Sequence, residues 1–222
     1  MNGTLQSFAR MLWDLSIVAD HIGQVIQSAE DEKRLEQAVY GLDSLDEKGI
    51  QSLLAAGLSQ WYEVAREVHY PSSFGKKLTH RARCDLVLSP LGRPLRRDAT
   101  PPNLFDPPQQ CEAEDALWLE VKVACQFREG NVRHGGYGSQ WRSAVIADLK
   151  KMEAEEPIRE AGLLLVVFNE SKEILEKDLD LFETALVIKE VVAGFRQVRS
   201  VKITERIGHH LCTAALWPTI QR

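Results

Sequence analysis

The sequence predicts a mixed α/β fold, with helices on both faces of a central mixed sheet. Apolar residues recur every three or four positions along residues 4–28 and 139–155, which is typical of amphipathic helices. Residues 62–70 show the two-residue alternation of side chains that is typical of a strand. Residues 161–168 form an unbroken apolar run. Such a run indicates a strand that is buried on both faces, and therefore the centre of the sheet.

The chain before the first strand is predicted to be helical. The helix over residues 4–28 ends at a break over 28–31, and a second helical stretch ends at Gly41. These two helices are left over once the sheet and its flanking helices are assigned. We therefore predict a helical appendage over residues 1–43.

A third helix is predicted to open the main domain, residues 44–222. Ser44 is placed to cap its N-terminus, and Glu47, three residues later, matches the acid of a capping box. The apolar face of this helix ends near Gly57.

The later elements follow in the order three strands, helix, strand, helix and terminal strands. A proline-rich connection is expected over residues 89–115, and a glycine-rich loop over residues 128–138. The predicted strands cover residues 62–70, 79–88, 116–127, 161–168, 197–205 and 210–217, and the later helices cover 139–155 and 171–194.

The composition is that of an ordinary globular protein and excludes several classes. Of the 222 residues, 44% are hydrophobic and 27% are charged, and the strongest apolar stretch is far short of a membrane span. The first residues lack the basic-then-apolar order of a signal peptide. The four cysteines are scattered and have no zinc-type spacing, so we expect a reduced, cytoplasmic setting and no membrane association.

The net charge of −5 conceals an asymmetry along the chain. Residues 1–63 contain ten acids and four bases, whereas residues 64–97 contain eight bases and two acids. The second segment can neutralise the phosphates of a nucleic acid. A solvated basic loop is the alternative for Arg93, Arg96 and Arg97. The acidic N-terminal helices are candidates for docking a protein partner or a second copy of the chain.

Charged residues interrupt two of the predicted strands. Glu120-Val121-Lys122 follows the apolar run over residues 117–119, and Asp85 interrupts the run over residues 84–88. Strand alternation places Glu120 and Lys122 on one face, where buried charges are costly without a partner or a function. Two carboxylates and a lysine on one sheet can hold a divalent metal ion and activate a water molecule. The alternative is an ion pair at the solvent edge of the sheet.

Asp85, 34 intervening residues and then Glu120-Val121-Lys122 on the next strand resemble the motif of the PD-(D/E)XK, or restriction-endonuclease-like, nuclease superfamily. The element order over residues 44–170 (helix, three-stranded meander, helix, central strand) is similar to the common core of that family. Cys84 stands where the literal motif has proline, a residue that contributes no ligand. The resemblance implies a restriction-endonuclease-like core that hydrolyses phosphodiester bonds.

The resemblance also implies a role for each residue of the motif. Asp85 and Glu120 would bind Mg²⁺, for which Mn²⁺ can substitute, and the backbone carbonyl of Val121 would be a further ligand. Lys122 would position the attacking water or stabilise the transition state.

Members of this family often add another acid from the preceding helix or the first strand. Glu47, Glu63 and Glu67 compete for this role, and Glu67 is preferred. Glu47 has an alternative explanation as an acid at a helix N-terminus, and Glu67 as a residue on the strand surface.

The helix after the glycine-rich loop offers weaker candidates. Gln140 resembles a glutamine that some family members place at the start of this helix, but Ala144 stands where a tyrosine often accompanies it. We interpret Asp148, Lys150 and Lys151 as an exposed face with one ion pair.

Basic residues near the motif are candidates for contact with nucleic acid. Three of them flank the glycines of the 128–138 loop, whose backbone amides can approach a phosphate closely. The alternative is that these glycines serve only a flexible connection. The candidate nucleic-acid contacts are Lys76, Lys77, Arg81, Arg83, Arg128, Arg133 and His134.

The sequence therefore predicts a metal-dependent nuclease, with DNA as the expected substrate. The alternative is a catalytically silent module that keeps the nuclease fold and binds nucleic acid or a partner protein. A nucleotide hydrolase on another α/β fold lacks support, because the chain contains no GxxxxGK[ST], GxSxG or HExxH motif.

Overall fold

The centre of the sheet is a parallel pair of strands. The computed structural model describes residues 13–73, 82–96, 109–128 and 130–219. Its strands are β1 (Tyr62–His69), β2 (Arg83–Pro90), β3 (Leu117–Cys125), β4 (Phe127–Arg128), β5 (Val132–Arg133), β6 (Glu160–Asn169), β7 (Gln197–Lys202) and β8 (Leu211–Pro218). Within the described ranges, six strands form one sheet in the order β1-β2-β3-β6-β8-β7, and β4 and β5 form a separate hairpin. Only β3 and β6 are parallel among the pairs of this described sheet.

Helices cover both faces of the sheet. On one face lie α1 (Leu15–Leu35) and α2 (Glu47–Leu58), and on the other lie α3 (Tyr137–Glu153) and α4 (Lys172–Ile188). The side chains of β6 alternate between the two layers and are buried on both, which confirms the predicted central strand. The predicted mixed α/β class with flanking helices is confirmed. No helix in the described parts of the chain is long and apolar enough to cross a membrane.

Helix α1 is continuous where the sequence predicts a break. It runs through residues 28–31, where Ala29 and Glu30 are buried, and ends at Leu35. The Oε1 of the buried Glu30 carboxylate accepts the N–H of Thr204 at 2.9 Å and lies 3.7 Å from Arg206, which offsets part of the cost of burying this group. Although α1 lies within the segment predicted as an appendage, its apolar face packs in the same core cluster as β6 and β8. Positions 4–12 of the predicted helix lie outside the described residues.

Helix α2 begins two residues later than its predicted cap implies. The Asp46 carboxylate accepts the N–H of Gly49 at 2.7 Å and is the N-cap. The predicted Ser44 cap is therefore wrong: its hydroxyl donates to the Gly41 carbonyl in a 3₁₀ turn over Leu42–Ser44. Glu47 becomes the first residue of the helix, which leaves its carboxylate available to other elements.

Two other boundaries also differ from the prediction. Helix α4 ends at Ile188 rather than at residue 194, because Glu190 has a left-handed φ of 55° and the N–H of Val191 returns to the Leu186 carbonyl. The strand predicted over 116–127 ends at Cys125.

Candidate active site

The strands β2 and β3 separate at the position of the predicted carboxylates. Their pairing ends at Leu86 and Leu119, so Asp85 and Glu120 are the next residues that face each other across the two strands. The Asp85 Oδ2 accepts the N–H of Val121 at 2.8 Å. A side chain thus takes the place of the next backbone contact between the strands. The carboxyl groups of Asp85 and Glu120 are close enough to influence each other.

The carboxyl of Glu120 contacts side chains from two other parts of the fold. This residue is 2% exposed. Its Oε1 atom accepts the hydroxyl of Tyr70, which directly follows β1, at 2.5 Å. The same oxygen contacts the Nζ of Lys151, in the last turn of α3, at 2.5 Å. The ammonium of Lys151 also lies 5.1 Å from the centroid of the Tyr70 ring, which adds a cation–π contact.

The ammonium of Lys122 lies between two helices. Its Nζ is 3.2 Å from Glu47 Oε1, at the start of α2, and 3.4 Å from Asp148 Oδ2 on α3. The other oxygen of Asp148 is 3.3 Å from Lys151 Nζ. Asp148 therefore bridges the two lysines, and the predicted neighbours Glu120 and Lys122 belong to one connected group.

We call this group the charge cluster. Within the described residues it contains four carboxyl and two ammonium groups, and it therefore carries two excess negative charges when every acid is ionised. Its members are Glu47, Asp85, Glu120, Asp148, Lys122 and Lys151.

Burial perturbs the acids of the cluster. It raises the pKa of Glu120 to about 7, although the hydrogen bonds from Lys151 and Tyr70 act in the opposite direction. Burial also raises the pKa of Asp85, against the lowering effect of the Val121 N–H. Buried carboxyl groups with raised pKa values, adjacent to one another, are typical of functional sites.

The donors of the cluster keep their protons. Burial raises the pKa of Tyr70 far above its usual range, so its hydroxyl stays a donor to Glu120. Burial lowers the pKa of Lys122, but Asp148 and Glu47 outweigh this effect and the net pKa is raised. Burial likewise lowers the pKa of Lys151, but the hydrogen bonds and charges of Glu120 and Asp148 together outweigh this effect and the net pKa is raised.

The donor chemistry of the site fits Mg²⁺. Two carboxylates converge, the cluster has excess negative charge, and oxygen ligands are those that Mg²⁺ prefers. In a strand, the N–H and C=O of one residue point to the same edge, so the Val121 carbonyl faces the same edge as the N–H bound to Asp85. Among the described residues, no group of three or more His, Cys, Asp or Glu side chains is placed so that it could hold a metal ion.

The three candidates for the additional acid have different partners in the structure. Glu67 is exposed, has a left-handed φ of 51° and is 3.8 Å from Arg83. Glu63 accepts the N–H of Gly92 at 3.0 Å. Glu47 contacts Lys122 in the cluster, so the preference for Glu67 is replaced by Glu47.

Helix α3 contributes to the site through its last two turns. The interpretation of Asp148 and Lys151 as an exposed face is wrong, although their i,i+3 ion pair is present and Lys150 is exposed. Gln140 is in the first turn, eight residues and about 12 Å along the helix axis from Asp148. The sequence gives a partial signal for Lys151, because this residue lies between the inward-facing Leu149 and Met152.

Several of the candidate nucleic-acid contacts lie on one hairpin. Arg128 and His134 contact each other, and Arg133 is 3.1 Å from Glu170 with 70% of its side chain exposed. A cavity of about 400 Å³ extends between this hairpin and the cluster and is lined by residues that include His134 and Lys122.

The other candidate contacts are placed differently. Arg83 is exposed and lies beside Glu67. Lys76, Lys77 and Arg81 lie outside the described residues.

Comparison with models of known families, with curated proteins and with solved structures finds no match to this chain. The likeness to PD-(D/E)XK nucleases therefore rests on the motif and on the order of the elements around it.

Proposed function

We propose that this chain is a metal-dependent nuclease of the PD-(D/E)XK type that hydrolyses phosphodiester bonds in DNA. The observation that carries this proposal is the convergence of Asp85, Glu120 and Lys122 where β2 and β3 separate. Two acids on different strands thus meet in one buried, acidic place beside an ammonium group.

The element order supports the same proposal. Helix α2, the antiparallel strands β1, β2 and β3, helix α3 and the parallel strand β6 follow one another. This is the order that the resemblance implies for a restriction-endonuclease-like core.

Asp85 and Glu120 are the residues that would hold Mg²⁺ or Mn²⁺, with the Val121 carbonyl as a third donor. The bound ion would lower the pKa of a water molecule and offset the charge that develops on the phosphate. The hydrogen bond from the Val121 N–H keeps the Asp85 carboxylate oriented before any ligand arrives.

Lys122 positions the nucleophile and neutralises charge at the phosphate. Its side chain is 21% exposed, so the ammonium can reach a substrate while Glu47 and Asp148 hold it near the carboxylates. These two acids also keep Lys122 charged, because their effect raises its pKa above the value that burial would leave.

DNA as the substrate is supported by the position of the cationic hairpin. The cavity that links His134 to Lys122 gives a continuous path from the hairpin to the cluster. Arg133, next to His134 on the hairpin, has an exposed side chain that pairs with Glu170 and can exchange this partner for a phosphate.

The test is cleavage of linear and supercoiled DNA by the purified chain with Mg²⁺, with Mn²⁺ and with EDTA. We expect cleavage with either metal, no cleavage in EDTA, and a loss of about 100-fold or more in Lys122→Met. Lys150→Met is the matched control, because it removes the same charge from an exposed position on α3, and it should cleave like wild type. Absence of cleavage by folded wild type, or equal cleavage by Lys122→Met, would contradict the proposal. DNA binding without cleavage would favour the silent module.

A further inference from the structure

The ammonium of Lys151 contacts the carboxyl of Glu120, one of the two proposed metal ligands. Its Nζ is 2.5 Å from Glu120 Oε1, and the Tyr70 hydroxyl is also 2.5 Å from that oxygen. Glu120 is 2% exposed, so water has little access to this carboxyl. A cation that binds Glu120 through this oxygen must displace one of the two donors.

We propose that Lys151 is a built-in counter-cation of the metal site, which neutralises Glu120 in the metal-free protein and competes with the divalent ion for it. This inference rests on the proposed metal site and goes beyond the resemblance, because Lys151 lies outside the Asp85 and Glu120-Val121-Lys122 motif.

The contacts of Lys151 show why its ammonium can move away from Glu120 when a metal ion binds. Asp148 Oδ1 lies 3.3 Å from the same Nζ, so the ammonium keeps an anionic partner when it leaves Glu120. The long lysine stem allows such a shift, whereas Tyr70 is fully buried and fixed by its ring contact with Trp118. Lys151 is thus the displaceable donor, and Tyr70 is the permanent one.

The two lysines of the cluster contact three of its four acids. Lys151 lies against Glu120, and Lys122 lies against Glu47 and Asp148. The motif nevertheless has the oxygen donors that the ion prefers. The metal therefore binds by exchange with an ammonium group.

The test is the affinity for Mn²⁺, measured by calorimetry without substrate at several pH values above the Glu120 pKa of about 7, because loss of Lys151 also raises this pKa and a proton would then compete with the ion. In Lys151→Met the dissociation constant should be about tenfold or more below that of wild type, because a charge-assisted contact is worth at least that factor. Lys150→Met removes a charge from the adjacent exposed position and should bind Mn²⁺ like wild type. Lys151→Arg keeps the competing charge and should also bind no tighter than wild type.

Lys151→Gln is the second neutral variant, since its amide can still donate to Glu120 and preserve the fold. It should also bind Mn²⁺ more tightly than wild type. Equal or weaker binding by both neutral variants would overturn the inference. If wild type binds Mn²⁺ and cleaves DNA but the neutral variants bind no tighter, the nuclease proposal stands and the counter-cation role fails. If no variant binds Mn²⁺, the metal site itself fails.

Discussion

The Asp85 carboxylate accepts the backbone N–H of Val121 at 2.8 Å, at the point where β2 and β3 cease to pair. This contact satisfies a backbone donor that the separating strands would otherwise leave without a partner. It also fixes the orientation of the carboxylate beside Glu120. One side chain thus completes the sheet and presents an acid to the site.

Two substitutions at Asp85 should therefore separate its contribution to folding stability from its contribution to metal binding. Asp85→Ala leaves the Val121 donor unsatisfied and should lower the free energy of unfolding by about 1–3 kcal/mol. Asp85→Asn keeps an oxygen that can accept this N–H and should stay close to wild-type stability, while it loses the metal-binding charge. Urea unfolding of both variants measures the difference. Equal destabilisation by Ala and Asn would show that the N–H contact has no stabilising role.

Glu120 should make the stability of the metal-free protein dependent on pH. Burial raises its pKa from 4.5 to about 7, so between these values the folded protein holds a proton that the unfolded chain releases. The free energy of unfolding should therefore fall as pH rises from 4.5 to 7, by up to about 3 kcal/mol.

The comparison is with Glu120→Gln in EDTA, by urea unfolding at several pH values. Wild type should lose stability relative to this variant as pH rises through the window. A difference between the two proteins that is constant with pH, or that grows in favour of wild type, would show that the pKa of Glu120 is not raised by folding.

Glu47 and Glu67 should differ in their effect on cleavage. Glu47→Gln removes an anionic partner of Lys122 and should lower the cleavage rate by about tenfold, the size of a single charge-assisted contact. Glu67→Gln alters an exposed residue outside the cluster and should cleave like wild type. Rates under single-turnover conditions measure both. A larger loss of cleavage rate in Glu67→Gln than in Glu47→Gln would favour Glu67 as the additional acid, as predicted from the sequence.

The β4–β5 hairpin should bind phosphates of the DNA backbone. Replacement of both Arg128 and Arg133 by Ala should reduce the slope of log affinity for DNA against log salt concentration by about two, roughly one for each phosphate that an arginine no longer neutralises. Arg159→Ala is the control, because Arg159 is exposed, pairs with Glu114 and precedes β6 at the opposite end of the β3–β6 pair. Titrations of DNA in EDTA at several salt concentrations give the slopes. An unchanged slope in the double variant would exclude the hairpin from the DNA interface.

The central strands and their charged residues could be predicted from the sequence. Glu120 and Lys122 are two residues apart in a strand, so they project from the same face. Asp85 interrupts an apolar run, which places a charged group within a strand. The continuous apolar run that becomes β6 also specified burial on both faces.

The supporting contacts could not be predicted in the same way. Whether Lys151 reaches Glu120 depends on the rotation of α3 against the sheet, and 31 positions separate these residues in the chain. The sequence pattern predicts Ser44 as the cap of α2, whereas the N-cap is Asp46, two positions later. That difference moves Glu47 from the third position of the helix to the first and frees its carboxylate for Lys122.

The most direct test of the proposed site is a crystal structure of the wild-type chain soaked in Mn²⁺, with the ion located by its anomalous scattering. We predict one peak where β2 and β3 separate, with oxygens of Asp85 and Glu120 close to the ~2.1 Å typical of Mg²⁺ ligands, and with Lys151 moved toward Asp148. A peak that contacts neither carboxylate, or no peak in crystals of the folded protein, would contradict the account.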